Sequence, residues 1–195
     1  MKKIILLLLL SFSTCIFAQR GSYYLNLTNA SLIKKNGEKV TFKDGKVEIN
    51  SMGQKVYYPV PDKKGMQHTS FDDIDFIKTD KFLLKSYDFG KGLNLYMVLA
   101  DSPDKKMITK TGLFSYDFAY TIRIVDNSGN IIDELKSHGG PPMKGYVHRK
   151  FIEPFIKKHF SDCKQLIDRI PDSSQFTENS EGYILLDDPI YIQCN

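Results

Sequence analysis

Residues 29–50 read N-A-S-L-I-K-K-N-G-E-K-V-T-F-K-D-G-K-V-E-I-N, in which short apolar segments alternate with two turn dipeptides. The dipeptides Asn36-Gly37 and Asp44-Gly45 tolerate the positive φ angles of a type I′ turn, whose twist matches that of paired strands. This stretch therefore predicts two consecutive β-hairpins. They belong to a β-meander that begins near Tyr23 and ends at Pro59, because proline cannot donate a hydrogen bond to a neighbouring strand.

Residues 113–125 have the clearest period of two in the chain. Apolar and aromatic side chains fall on one face and polar side chains on the other, which is typical of a strand with one buried face. The turn-like residues 126–130 follow, and then residues 131–135, so a long hairpin is predicted. The residues of the apolar face are Phe114, Tyr116, Phe118, Tyr120, Ile122 and Ile124.

The period changes near residue 148. Apolar residues then recur at gaps of three and four, which indicates an amphipathic helix. Asp162 and Gln165 have the spacing of a capping box, so a second, separate helix can begin there. The residues of the stripe are Ile152, Ile156, Phe160, Cys163, Ile167 and Ile170.

These patterns predict an α+β fold that is mainly antiparallel β. We expect a sandwich or barrel of about 8–11 strands with a C-terminal helical segment near residues 148–170. Residues 19–195 are long enough for one domain with a substantial core and short for two. We therefore expect a single β-rich domain there, with the helix near its C-terminal end.

The first 18 residues have the layout of a secretory signal peptide. Lys2 and Lys3 precede the unbroken apolar run of residues 4–10, and Ala18 precedes Gln19 at the expected cleavage point. The apolar stretch reaches about 15 residues, short of the ~20 that span a bilayer. The sequence therefore predicts export, with no transmembrane segment after cleavage.

A second processing route begins at Cys15. The residues Phe12-Ser13-Thr14-Cys15 resemble the lipobox of bacterial lipoproteins, in which the cysteine is acylated. Phe12 and Thr14 depart from that motif, and the residues after Cys15 remain apolar. Periplasmic or extracellular localisation is the main expectation, and a lipoprotein anchored through Cys15 is the alternative.

The leucine-rich leader ending in Phe17-Ala18-Gln19 resembles those of exported proteins in Gram-negative bacteria. In overall layout the chain is similar to uncharacterised exported β-rich proteins of these bacteria, a resemblance that implies no particular function. A β-rich body followed by a helix and a Cys-bearing strand also resembles lipocalin-type barrels. The chain has no tryptophan and so lacks the lipocalin G-x-W signature. A lipocalin ligand pocket is therefore not implied.

Charge and cysteine content narrow the expected chemistry. Without Lys2 and Lys3 the 27 basic residues become 25, against 23 acidic ones, so the mature net charge is about +2. A nucleic-acid partner is not expected, because such domains are strongly basic. Removal of Cys15 leaves Cys163 and Cys194, which can form a disulfide in an oxidising compartment, although one of them can equally be a buried apolar residue.

No histidine or acidic cluster has the spacing of a metal site, and no metal or cofactor is expected. His138, His148 and His159 lie ten and eleven residues apart, and His68 is predicted to stand alone in a loop. The acidic run at 72–75, with Asp72, Asp73 and Asp75, lacks the remaining features of a calcium-binding loop.

Catalytic candidates are equally weak. His138-Gly139-Gly140 resembles the oxyanion-hole tripeptide of esterases, but no G-x-S-x-G nucleophile motif accompanies it. Cys163 follows His159 by four residues, so the two could meet on one helical face, yet a core or disulfide role is favoured. No catalytic residue is therefore predicted.

Three hypotheses about function follow. The leading one is an exported, non-enzymatic domain that binds a protein or another macromolecule of the envelope or exterior, and the loop aromatics Tyr87, Phe89 and Tyr146 are candidates for its surface. The first alternative is a small-ligand carrier with an apolar cavity in the β-body. The second is a hydrolase whose site is assembled from distant residues such as His138, His148 and acidic partners. The sequence does not predict the oligomeric state.

Overall fold

The computed structural model describes residues 22–110, 121–136, 153–169 and 190–194. In these residues the chain forms thirteen β-strands, a 3-10 turn at Phe71–Asp73, a helix at 153–160 (α1) and a short helix α2 at Lys164–Ile167. The strands are β1 (Ser22–Leu27), β2 (Ser31–Lys34), β3 (Lys39–Thr41), β4 (Gly45–Asn50), β5 (Lys55–Pro59), β6 (Met66–Ser70), β7 (Ile74–Lys78), β8 (Leu83–Asp88), β9 (Leu93–Asp101), β10 (Lys105–Lys110), β11 (Thr121–Asp126), β12 (Ile131–Lys136) and β13 (Ile192–Gln193).

The strands form two sheets that are open in the described part of the chain. The small sheet has the order β1-β4-β5-β6, and all its pairs are antiparallel. The large sheet has the order β12-β11-β10-β9-β8-β7-β2-β3, with β13 added parallel to β9. The fold is thus mainly antiparallel β with a C-terminal helical segment, and the predicted barrel alternative does not describe these two sheets.

The main core is built from both sheets and the helical segment. Val47 and Ile49 of the small sheet belong to the same buried cluster as Leu84 of the large sheet and Ile156 and Phe160 of α1. On β9, Leu95, Met97 and Leu99 join this cluster, whereas Tyr96 and Val98 join a second cluster. Because successive side chains of a strand point to opposite faces, β9 is buried on both faces.

The predicted hairpin at Asn36-Gly37 is confirmed, although its turn is not type I′. Strands β2 and β3 pair antiparallel, and the Gly37 N–H donates to the Lys34 carbonyl at 2.8 Å. Gly37 has φ +86° while Asn36 keeps a negative φ. A three-residue loop that ends in a left-handed glycine fits this pattern better than the two-residue type I′ loop, which needs two positive φ angles.

The predicted hairpin at Asp44-Gly45 is wrong. Strand β3 belongs to the large sheet and β4 to the small one, so the chain crosses between the sheets here. The backbone hydrogen bonds show the change of sheet: the Phe42 N–H donates to Ala30, and the Lys43 N–H donates to Pro59. The buried Phe42 ring stacks on Tyr58 at 4.3 Å between centroids, which fixes the crossover against the core.

The predicted pairing of residues 121–125 with 131–135 is confirmed as β11 and β12, and Ile122 and Ile124 lie in the main core. Residues 113–120, the rest of that pattern, are outside the described residues. The predicted number of strands was too low. Strand β6, for example, carries the sequence M-Q-H-T-S and buries only Thr69, so it shows no apolar alternation.

The predicted helical stripe is confirmed where it is described. Ile156, Phe160 and Cys163 are buried in the main core, and α2 is a separate helix. The capping prediction is wrong, since Cys163 occupies the N-cap position of α2 and makes no side-chain capping bond. No described helix is both long and apolar enough to cross a membrane.

Candidate binding surface

The outer face of the small sheet presents a row of side chains that crosses all four strands. Tyr24 of β1 lies opposite Glu48 of β4, Glu48 opposite Tyr57 of β5, and Tyr57 opposite His68 of β6. The inward neighbours Ile49 and Val56 are fully buried, so the row points away from the core. We call these four residues the aromatic row. Three interstrand steps of about 4.8 Å make it about 14 Å long.

Contacts between neighbouring strands hold the rings of this row. The Tyr57 and His68 rings lie 5.5 Å apart between centroids, with a 40° angle between their planes. The Lys46 ammonium lies 3.6 Å from the centroid of the Tyr24 ring, within the range of a cation–π interaction. Tyr24 is still 53% exposed. The row therefore offers ring faces that are both accessible and restrained.

Lysines surround one end of the same face. Lys46 lies near the start of β4, and Lys63 and Lys64 lie in the loop between β5 and β6. The backbone N–H of Lys43 donates to the Pro59 carbonyl at the end of β5. All four side chains are exposed, and none forms an ion pair with another described residue. We call Lys43, Lys46, Lys63 and Lys64 the lysine cluster. Asp44 and Asp62 lie beside it, which leaves a local excess of two positive charges.

Tyr87 and Phe89, the loop aromatics singled out from the sequence, are partly buried and pack against the second cluster. Tyr87 lies on β8, and its ring stacks on Phe89 at 5.7 Å between centroids. The Arg123 guanidinium lies 4.4 Å from the Phe89 centroid and donates to Glu134 at 2.6 Å. Burial raises the pKa of Tyr87 and Tyr96 above the usual tyrosine value. Tyr146, the third candidate, is outside the described residues.

A cleft of about 290 Å³ lies beside the junction of β9 and β10. Its lining includes Asp101, Lys106 and Asn127. The Lys106 ammonium donates to Asp101 at 2.6 Å, and the Tyr191 hydroxyl donates to the other oxygen of that carboxylate at 3.1 Å. Burial, and next the charge of Asp101, raise the pKa of Tyr191 to about 12. These polar groups bind one another, so they attach the C-terminal strand β13 to the sheet.

Among the described residues, the sequence candidates for catalysis and metal binding do not come together. Cys163 and Cys194 form a disulfide with a Cα–Cα distance of 5.2 Å, so Cys163 offers no thiolate. In the described part of the chain, no three histidine, cysteine or acidic residues are grouped as metal ligands. His68 lies on β6 and not in a loop. Asp72 and Asp73 lie in the 3-10 turn and Asp75 on β7. His138, with its Gly139-Gly140, and His148 lie outside the described residues.

His159 of α1 contacts a carboxylate and not a nucleophile. Its Nε2 lies 2.8 Å from Oδ2 of Asp133 on β12, and the Lys158 ammonium lies 2.7 Å from the same oxygen. Lys158, followed by His159, lowers the pKa of Asp133 to about 2. These contacts tie α1 to an edge strand of the large sheet.

We expect Asp133→Asn to reduce stability at neutral pH by up to about 1 kcal/mol, as for other exposed ion pairs. The folded pKa is lower than the unfolded one, so the contribution is fully present above about pH 4 and is lost as the pH falls towards 2. Urea unfolding of the two proteins across this range should show the difference shrink. Asp75→Asn, which removes a longer 3.5 Å pair with Lys85, is the control. A difference that stays constant with pH would contradict the assignment.

Comparison of the chain with protein-family models, curated proteins and solved structures finds no match. The candidate binding surface is therefore identified only from the geometry and charges of the described residues. The sequence patterns did not predict the aromatic row, because they placed the tyrosines on strands without indicating which face each one occupies. The available signal was the alternation in K-V-Y-Y-P of β5, which places Tyr57 on the face opposite the buried Val56 and Tyr58.

Proposed function

We propose that this chain is an exported, non-enzymatic domain that binds a macromolecule through the outer face of the small sheet. The aromatic row is the observation that carries the proposal. Single exposed aromatic residues are common on protein surfaces, whereas a contiguous group marks an interaction site more often. Here the sheet register brings two tyrosines and a histidine from three strands into one row, so the surface is extended and rigid.

Export is supported by two separate features. Residues 1–18 have the charge and apolar pattern of a cleavable leader. The Cys163–Cys194 disulfide fits an oxidising compartment, because thiols of cytosolic proteins are kept reduced. A macromolecular partner in the periplasm or outside the cell agrees with both. Acylation at Cys15 would place the same surface on a membrane-anchored protein.

The two alternatives gain no comparable support. A carrier needs an apolar chamber, and the cleft near Asp101 is lined largely by polar residues that bind one another. A hydrolase needs a nucleophile or base with a free cleft around it. The candidates His138 and His148 lie outside the described residues, and among the described ones His159 is packed against Phe155 and Asp133. Binding without chemistry is therefore the better-supported function.

The proposal is tested by co-sedimentation with cell fractions of a Gram-negative bacterium. The purified, oxidised protein is mixed separately with sacculi, membrane vesicles and secreted polymer, and the bound fraction is measured. We expect association with at least one fraction and a roughly 5- to 150-fold loss of affinity with Tyr57→Thr, since loss of one stacking ring costs on the order of 1–3 kcal/mol. Threonine retains the strand propensity of the position.

Ile132→Thr is the matched control. Ile132 is 51% exposed on β12 of the large sheet, so this change removes an exposed apolar side chain from the sheet that does not carry the aromatic row. Both variants should keep the circular dichroism spectrum and unfolding midpoint of the parent protein. The proposal fails if no fraction retains the parent protein, or if the two variants lose binding equally.

A further inference from the structure

We infer that the partner is a polysaccharide in which carboxylate-bearing sugars are separated by neutral sugars. This inference rests on the proposed function and adds the chemistry of the partner. It combines three properties of the outer face of the small sheet: ring faces in register, polar groups between them, and a lysine cluster at one end.

The aromatic row suits a partner with flat, partly apolar faces. The exposed Tyr24 ring and the half-buried Tyr57 ring lie on the sheet surface, with one face of Tyr24 covered by Lys46. An aromatic ring packs its open face against C–H groups. A sugar ring presents such C–H faces together with hydroxyl groups at its rim. The row is about 14 Å long, so a chain of several linked sugars can lie across the strands.

The residues between and beside the rings on this face are hydrogen-bonding groups. Glu48 separates Tyr24 from Tyr57 in the row, while Asn26 and Asn50 lie on the same face of β1 and β4. A carboxylate accepts hydrogen bonds, and an amide both donates and accepts them. Hydroxyl groups of a polysaccharide can bond to Glu48 and Asn26, whereas a purely apolar partner would leave these two residues unpaired at a cost. The amide oxygen of Asn50 already accepts from the Gly53 N–H at 2.6 Å.

The charge distribution selects a sparsely charged polymer. Glu48 at the middle of the row repels a negative charge placed there, and this disfavours nucleic acids and other polymers charged at every unit. The lysine cluster lies at the end of the sheet where β4 and β6 begin, and with Asp44 and Asp62 beside it a local excess of two positive charges remains. A glycan that places neutral sugars over Glu48 avoids the repulsion there. A carboxylate near Lys63 and Lys64 is then attracted by the lysine cluster.

Isothermal titration calorimetry of the oxidised protein tests the inference. The probes are oligosaccharides that carry a free carboxylate on alternate sugars, namely hyaluronan, unsulfated chondroitin and peptidoglycan glycan strands freed of their stem peptides. The comparison ligands are neutral chito-oligosaccharide, heparin, poly-glutamate and phosphatidylglycerol vesicles. We expect at least one alternating probe to bind about tenfold more tightly than every comparison ligand. The affinity of this probe should fall as the salt concentration rises.

Variants separate the two parts of the surface. Tyr57→Thr should lower the affinity for the probe about tenfold at any salt concentration. Tyr57→Phe should retain most of the affinity because it keeps the ring. The double variant Lys63→Gln/Lys64→Gln should weaken binding at low salt and have little effect at high salt, because screening already removes its contribution. Lys91→Gln, at an exposed lysine in the β8–β9 loop, is the control and should leave the affinity unchanged.

The outcomes distinguish this inference from the proposed function. Failure of all alternating probes, equal binding of the neutral oligosaccharide, or tighter binding of heparin, poly-glutamate or vesicles would overturn the polysaccharide assignment. If Tyr57→Thr still abolished co-sedimentation in that case, the binding function would stand with a different partner. If Tyr57→Thr retained both co-sedimentation and probe binding, the proposed function and the polysaccharide assignment would both be overturned.

Discussion

Replacement of Phe71 by alanine is expected to lower the free energy of unfolding by about 3–5 kcal/mol, as for other buried phenylalanines. Phe71 is fully buried in the main core, in the 3-10 turn where the chain passes from β6 of the small sheet to β7 of the large sheet. Its backbone N–H also donates to the Gln54 carbonyl at 2.8 Å. The missing ring would leave a cavity where the two sheets are connected.

Urea unfolding followed by circular dichroism measures this change. Phe71→Leu should cost much less than Phe71→Ala, because leucine refills most of the lost volume. Met52→Ala is the surface control, since Met52 is 70% exposed, and it should change stability by no more than about 0.5 kcal/mol. A cost below about 1 kcal/mol for Phe71→Ala would contradict a common core between the two sheets.

Loss of the Cys163–Cys194 disulfide is expected to cost about 3–4 kcal/mol. The bond joins residues 31 positions apart, and on the chain-entropy account a loop of this length restricts the unfolded chain by about that amount. It connects the start of α2 to the residue after β13. The N–H of Cys194 also donates to Asp101 of β9 at 2.7 Å, so the bond secures the C-terminal strand as well as the helix.

The double variant Cys163→Ala/Cys194→Ala is compared with the parent protein, each with and without a thiol reductant. Reductant should destabilise the parent to nearly the level of the double variant and should not affect the double variant. Mass spectrometry of the unreduced protein checks that the bond is present. An unfolding midpoint of the parent protein that is insensitive to reduction would contradict a stabilising disulfide.

Local patterns predicted much of the secondary structure. The alternation in residues 121–125 predicted a strand with Ile122 and Ile124 on its buried face, and the gaps of three and four predicted the buried stripe of Ile156, Phe160 and Cys163. These predictions hold because each depends only on the period with which one element exposes its side chains. The same reasoning missed β6, because an edge strand that buries only Thr69 needs little apolar alternation.

Pairing between strands was harder to predict. Asn36-Gly37 and Asp44-Gly45 look alike as turn dipeptides, yet the first joins two paired strands and the second joins two sheets. The difference lies in distant partners, since β4 pairs with β1 and β5. Turn chemistry permits a reversal of the chain, but long-range burial decides which strands become neighbours.

The sequence by itself determined the β-rich class, the late helical stripe, the leader-like start and the cysteine pair available for a bond. Each of these follows from composition or from the period of one local segment. Only the tertiary structure decided that Tyr87 and Phe89 pack against a buried cluster, and that Tyr24, Tyr57 and His68 from separate strands form one exposed row. A surface of this kind depends on the register between strands, and register is fixed by the contacts of the whole fold.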